Sequence, residues 1–294
     1  MRLRVCAREP PTCAWSLPQR TRETESAARC EHLRRRRKHE KVLELMNSNQ
    51  VESEAVRTRA SIAARVNRID WLTVTAELDD VGVASAGPVL SPTECRSLLG
   101  LYERDDRFRS TIDMARHRFG EGEYRYFDYP LPASVSRLRQ AFWPHLLPIA
   151  REWADRRGQP APWPDHFEDW LERCHDAGQT RATPLMLRYG PGDWNALHRD
   201  LYGDLVFPLQ VVVGLDVPGA DYAGGEFVVV EQRPRAQSRA TVTTIPRGIA
   251  VVFTTRDRPV RTKRGWSNSP MRHGVSRVRS GHRTTLGLIF HDAA

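Results

Sequence analysis

From residue 184 to the C-terminus the chain is cut into short apolar runs at 185–189, 206–215, 226–231, 240–245, 249–254, 273–278 and 284–290, separated by Gly, Pro and Asp. Runs this short and this often interrupted cannot be helices of ordinary length, and their spacing predicts an antiparallel β-sandwich or barrel. Upstream the pattern is helical. Ser91-Pro92-Thr93-Glu94 places Ser at an N-cap, Pro at the first helical position and Glu in capping-box spacing, which predicts a helix from there to about Arg104. Residues 134–158 and 164–176 also read as helices, the second opened by Asp165 and Glu168, while the loose alternation Trp71-Leu72-Thr73-Val74 reads as an edge strand. The expected fold class is α+β, helices first and then a β core over 184–294, with no internal repeat.

Composition narrows the setting. The 294 residues are 40% hydrophobic and contain no run of ~18 uncharged apolar residues, which excludes a membrane-spanning helix. The N-terminal stretch has Arg but no apolar segment, so no secretory signal is expected. Cys6, Cys13, Cys30, Cys95 and Cys174 are an odd count without a CxxC pair, which argues against a disulfide framework or a zinc ribbon and for a reducing cytoplasm.

The formal charge of +9 is unevenly placed. Residues 1–45 carry net +6, with Arg34-Arg35-Arg36-Arg37-Lys38, and lack helix or strand periodicity, so residues 1–65 are read as a disordered basic extension. Met46 is an alternative native start. Residues 46–230 carry net −7, whereas 231–283 carry net +11, with only Glu231 and Asp257 opposing. Arg233, Arg235 and Arg239 fall in one expected loop. Arg256, Arg258, Arg261, Lys263, Arg264 and Arg272 fall in or beside another, with Trp266 among them. Cations interleaved with an aromatic suit a phosphate backbone, and nucleic acid is the expected partner of 231–283, against the plainer reading of a solvated strand face.

Three side chains carry the chemistry: His198 and Asp200 in His198-Arg199-Asp200, and His273 on a later strand. Two imidazoles and one carboxylate on one face of a metal leave the other face open, the arrangement of non-haem Fe(II) oxygenases. His166-Phe167-Glu168 has the same spacing but lies in an expected helix without companions. Arg283, ten residues after His273 and opening the last strand, offers a planar fork for a carboxylate. Tyr189, nine residues before His198, places a hydroxyl on the preceding strand.

With these positions in order, the chain resembles the Fe(II)/2-oxoglutarate-dependent dioxygenases, which have a double-stranded β-helix (jelly-roll) core. Tyr189-Gly190-Pro191-Gly192 and Leu197-His198-Arg199-Asp200 resemble AlkB-type nucleic-acid dealkylases; Gly224-Gly225-Glu226, Pro246-Arg247-Gly248 and the His273–Arg283 spacing resemble prolyl 4-hydroxylases. A longer resemblance, over about 66–292, is to a bacterial 2-oxoglutarate–Fe(II) oxygenase family described as acting on alkylated DNA. It rests on Phe108-Arg109-Ser110, Arg118-Phe119-Gly120, Ala177-Gly178-Gln179, Leu201-Tyr202-Gly203, Phe207-Pro208-Leu209-Gln210, Glu231-Gln232-Arg233-Pro234-Arg235 and Phe290-His291-Asp292. One departure is Ile289, which stands where AlkB-type enzymes place a second Arg.

The resemblance implies Fe(II) on His198, Asp200 and His273, and 2-oxoglutarate on Arg283 and Tyr189. O2 is then the second co-substrate and ascorbate a stimulant. Asn195 and Gln210 are further candidate contacts to 2-oxoglutarate, or satisfy loop backbone. Trp194, Arg199, Tyr202 and Glu226 are candidate substrate contacts, or packing. It implies a helical N-terminal part over 66–183, a jelly-roll catalytic core over 184–294, and oxidative dealkylation of damaged nucleic acid. The alternatives are a protein (prolyl-type) or small-molecule hydroxylase, and a metal-binding jelly roll without turnover.

Overall fold

Alternation along four strands sets the layers in the computed structural model, which describes residues 60–232 and 237–294. The strands are β5 (Leu185–Tyr189), β7 (Leu209–Gly214), β11 (Ile249–Thr254) and β15 (Arg283–Leu288). Met186, Val211, Val213, Ala250, Val252, Leu286 and Leu288 share one buried cluster with the helices, while Val212, Val251 and Phe253 join Phe227, Val229 and Met271 in a second. Successive side chains point to opposite faces of a strand, so one face of this sheet takes the helices and the other takes a second sheet. Each fully buried Val or Leu in these layers contributes about 1.5–3 kcal/mol.

Four earlier strands precede them: β1 (Val83–Pro88), β2 (Phe108–Asp113), β3 (Gly120–Glu121) and β4 (Glu123–Phe127). The remaining strands are β6 (Trp194–His198), β8 (Tyr222–Gly224), β9 (Phe227–Glu231), β10 (Arg239–Thr243), β12 (Asp257–Thr262), β13 (Gly265–Val275) and β14 (Val278–Gly281). The major sheet has the order β1-β11-β7-β15-β5-β4-β2, the minor one β10-β9-β13-β6-β3 with β12 on β13, and β14 pairs with β8. All these ladders are antiparallel, giving a jelly roll with helices on its outer face.

The helices are α1 (Ile62–Asn67), α2 (Trp71–Val81), α3 (Pro92–Leu99), α4 (Ala133–Arg156) and α5 (Phe167–Asp176). The capping box of Ser91 and Glu94 forms, but α3 ends at Leu99, where Gly100 caps it, and not near Arg104. Trp71-Leu72-Thr73-Val74 is helix, not the expected edge strand. Asp70 accepts from the Thr73 amide, Val74 and Leu78 are buried one turn apart, and Gly82 closes α2 at φ 75°. The edge strand of this region is β1, just beyond that glycine.

At α5 the expected cap at Asp165 does not form. Its carboxylate accepts from Arg151, Glu168 accepts from Gln140, and α5 starts after His166 without a side-chain cap.

The expected extension up to residue 59, with Met46, lies outside the described residues, as do Arg233 and Arg235. Residues 60–65 belong to the fold through α1. The stretch 66–183 is not helical alone, since it supplies β1 to β4 to the two sheets. The expected loop before His273 is the β12–β13 hairpin. Within it Arg258 is 2% exposed and donates to Glu231 at 2.6 Å, so it is a structural ion pair and not part of a cationic surface. Among the described residues no helix is long and apolar enough to cross a membrane.

Candidate active site

The inward faces of the two sheets enclose a cavity of about 240 Å³. A water occupies about 30 Å³ of liquid, so the space suits a small organic molecule. His198 ends β6 and His273 lies near the end of β13; the two are direct partners in the β13–β6 ladder. Their ring centroids are 4.3 Å apart. Asp200, two residues past β6, lies 3.5 Å from His198 Nε2 through Oδ1 and 3.1 Å from His273 Nε2 through Oδ2. Ligand atoms of the three fall within 4.8 Å of one another, the group among the described residues that could hold a metal ion.

The electrostatics suit a cation. Burial pushes the Asp200 carboxyl up, but hydrogen bonds from His198 and His273 hold it well below its usual range. Burial pulls the His273 imidazole down, and the neighbouring His198 adds to that. For His198 burial acts downward too, yet the bond to Asp200 prevails and raises it. His198 Nδ1 donates to the Ala196 carbonyl at 2.7 Å, which fixes the ring and makes Nε2 the nitrogen turned to the ligand position.

At the far side of the cavity Arg283 is 1% exposed and pairs in register with Tyr189. Its Nε and Nη1 find no hydrogen-bond partner among the described residues, and neither does Gln210 Nε2 on the neighbouring β7. Buried donors are rarely left unpaired, and a guanidinium least of all, so the two Arg283 atoms fit a carboxylate ligand, while Gln210 lies further along the sheet, paired with Phe253. Gly225, at φ 63°, makes the room: a Cβ there would stand 2.7 Å from Arg283 Cδ. Asn195 donates its amide to the Tyr189 hydroxyl at 3.2 Å, and burial pushes that phenol up to about 12. Asn195 therefore orients Tyr189.

Of the candidate substrate contacts, Arg199 and Tyr202 line the cavity, whereas Trp194 and Glu226 do not. Trp194 precedes Asn195 on β6 and points to the opposite face. The Glu226 carboxylate is held by the Ser276 hydroxyl and approached by Arg279. Arg199 is anchored by its Nε to the Met271 carbonyl, and the Tyr202 hydroxyl donates to Asp200 Oδ1 at 2.8 Å.

Sequence reasoning passes over Tyr124 and Tyr126, which also line the cavity, and gives no site role to Phe119 and Leu201, which carry the family resemblance and stand at its rim, 48% and 45% exposed. The alternation Tyr124-Arg125-Tyr126 is the available signal for the first two. Ile289, at the departure noted above, packs with Leu185 and Tyr126.

A jelly roll with two histidines, one aspartate and a buried arginine that keeps two guanidinium nitrogens without a hydrogen-bond partner among the described residues defines an oxygenase of the 2-oxoglutarate/Fe(II) class. Residues 122–293 match the family described as "Oxygenase, catalysing oxidative methylation of damaged DNA", and the chain belongs to that family. Two uncharacterized proteins of Mycobacterium tuberculosis, from strains CDC 1551 / Oshkosh and H37Rv, are each 65% identical over 168 residues, 57% of this chain and 72% of theirs. Among solved structures, a prolyl-4-hydroxylase of Pseudomonas putida is similar at 14% identity and TM-score 0.45, covering 76% of this chain and 99% of that one. A 2OG-Fe(II) oxygenase family oxidoreductase of Burkholderia pseudomallei is similar at 17% identity and TM-score 0.42, covering 78% and 94%.

Proposed function

We propose that His198, Asp200 and His273 hold Fe(II), that Arg283 with Tyr189 holds 2-oxoglutarate, and that the enzyme removes alkyl groups oxidatively from damaged nucleic acid. The observation that carries the chemistry is that the triad and Arg283, whose Nε and Nη1 lack partners among the described residues, line one cavity. Fe(II) with 2-oxoglutarate and O2 supplies the oxidation of a substrate C–H to C–OH, with succinate and CO2 as the other products. On an N-methyl group the resulting hydroxymethyl falls apart to formaldehyde and the restored base.

The chain's own residues set the geometry of this reaction. Asp200 stays ionised and offers its lone pairs directly, while the Nδ1–H bond to Ala196 aims His198 Nε2 at the metal position, where binding releases the proton that Asp200 favours there. Arg283 fixes one end of the co-substrate with a forked donor pair, and Asn195 holds Tyr189 beside it. The apolar walls, with Val212, Phe227 and Phe253, keep water from the reacting centre.

Three observations support a nucleic-acid substrate. The family is described as acting on damaged DNA. Arg261, Lys263, Arg264 and Trp266 are exposed on the β12–β13 hairpin, whose second strand carries His273. Phe119 and Leu201 present apolar surface at the cavity mouth, where an unstacked base would enter. A cytoplasmic setting is supported by Cys95 and Cys174, both buried free thiols, each pushed up to about 11 chiefly by burial.

The test is succinate and formaldehyde release with Fe(II), ascorbate and a panel of methylated DNA, methylated RNA and proline-containing peptide. Stoichiometric formaldehyde with a methylated oligonucleotide supports the reading. Succinate driven only by the peptide would make the protein a prolyl-type hydroxylase. No succinate with any substrate would make it a binding protein without turnover.

A further inference from the structure

Three segments far apart in sequence meet behind the aspartate of the triad. Gln179, 2% exposed, donates its amide to the carbonyls of Tyr202, Leu205 and Asp292 at 3.2, 3.0 and 2.6 Å, and its Oε1 accepts from the Leu205 amide at 2.7 Å. The loop after Asp200 is therefore clamped at both ends of its turn. Gly203, at φ 99°, lets the loop close on Gln179, since a Cβ there would lie 2.5 Å from the Gln179 side chain. The clamp delivers Tyr202 to Asp200 Oδ1 at 2.8 Å.

Behind Tyr202 stands Tyr126, whose hydroxyl donates to the Tyr202 hydroxyl at 2.9 Å and whose ring lies 4.5 Å from the Arg109 guanidinium carbon. A cation over a phenol ring draws electron density from it and makes its hydroxyl a better donor. Tyr202 thus receives one hydrogen bond and gives one. Such chains strengthen each member when the surroundings are dry.

We infer that Tyr202 is a positioning residue that occupies Asp200 Oδ1, so that the aspartate presents Oδ2 alone to the metal, with Tyr126 and the Gln179 clamp supporting it. This rests on the reading of His198, Asp200 and His273 as the metal site. A carboxylate tied at one oxygen binds through the other and leaves the coordination position that a second oxygen would fill. Partners of this kind behind a ligand change metal affinity by about 10- to 100-fold.

The test uses the full chain and Co(II), with affinity by calorimetry and the visible d–d spectrum of the bound ion. Tyr202→Phe keeps the ring and removes the donor. The expected result is affinity at least about 10-fold weaker and a displaced d–d band as the freed Oδ1 reaches the ion, with the thermal midpoint by circular dichroism near that of the parent. Parent-like affinity together with an unmoved band overturns the inference.

Should Tyr202→Phe lose its fold, Tyr126→Phe decides. A smaller displacement of the band in the same direction supports the relay, and no displacement overturns it. If the unmodified protein binds no Co(II), the metal site itself is misread and the inference falls with it. Binding by the parent with unaltered variants removes the inference alone.

Discussion

His273 and His198 stand opposite one another as a register pair across the β13–β6 ladder, and the next pair, Val275 with Asn195, is one residue out of step. Two residues of β6 face one residue of β13 between the pairs, which is a β-bulge. Asn195 and His198 are three apart and would face opposite sides of a regular strand, yet both line the cavity. The bulge turns them to one side. Gly274 sits across from it because a Cβ there would be 2.6 Å from the Asn195 carbonyl oxygen and 3.1 Å from that of Ala196.

Gly274→Ala is therefore expected to part the two strands. Overpacking of a filled interior costs about 1–3 kcal/mol, and the histidine pair opens with it. Urea unfolding should show the loss of stability, and Co(II) titration a weaker site. An alanine variant with parent-like stability and metal affinity would show that the bulge tolerates a side chain.

Arg283→Ala should mainly weaken 2-oxoglutarate binding. Hydrogen bonds to charged groups contribute about 1.5–3 kcal/mol, which corresponds to a KM raised roughly 10- to 100-fold. Arg283→Lys restores only part of this, since an ammonium lacks the planar fork. Gly225→Ala should act in the same direction by pressing on Arg283 Cδ. An unchanged KM for 2-oxoglutarate in Arg283→Ala would remove this arginine from its assigned role.

The β12–β13 hairpin separates cationic surface from cationic core. Replacing Arg261, Lys263 and Arg264 together with Gln should weaken binding of methylated and unmethylated DNA alike. It should also flatten the dependence of log K on log salt by roughly 0.7–0.9 for each phosphate that is no longer neutralised. Arg258→Ala should leave that slope alone and cost about 3–5 kcal/mol of stability, because Glu231 is buried with it. Equal salt slopes in the parent and the triple variant would detach the hairpin from nucleic acid.

His291 makes folding sensitive to acid. Burial, reinforced by the Arg139 charge, lowers it to about 4, and its Nδ1 accepts from the Phe207 amide. A base whose pKa is depressed on folding binds fewer protons folded than unfolded, so stability falls as pH drops through its ordinary 6.5 toward 4. Between pH 6.5 and 5 this amounts to about 2 kcal/mol. His291→Gln keeps an acceptor for Phe207 and should flatten the stability profile over that window in urea unfolding. Identical profiles would place the acid sensitivity elsewhere.

Much of the site is legible in the sequence because strand parity and motif spacing are local properties. Tyr189 and Arg283 open toward the cavity from two adjacent strands, the β5 boundaries follow from an apolar run between Pro184 and Gly190, and the start of β11 follows from Gly248. β6 is not legible. Its burial is intermediate almost throughout, so it shows no apolar alternation, and its bulge is fixed by the partner strand. Trp71-Leu72-Thr73-Val74 misleads because β-branched residues mask a helix whose evidence lies in its caps, Asp70 and Gly82. The basic stretch misleads at Arg258, whose partner Glu231 lies 27 residues away in sequence. Net charge carries no information about such a pairing.

Under the proposed function, this cavity oxidises a methylated nucleic acid at an iron held by His198, Asp200 and His273. The measurement that reaches it most directly is parallel succinate and formaldehyde release from a methylated oligonucleotide, by the parent and by His198→Ala, with an unmethylated oligonucleotide as control. The account predicts equal amounts of both products from the parent, dependent on the methyl group, and neither from His198→Ala. Full turnover by His198→Ala, or succinate from the parent without formaldehyde on every methylated strand, would contradict it.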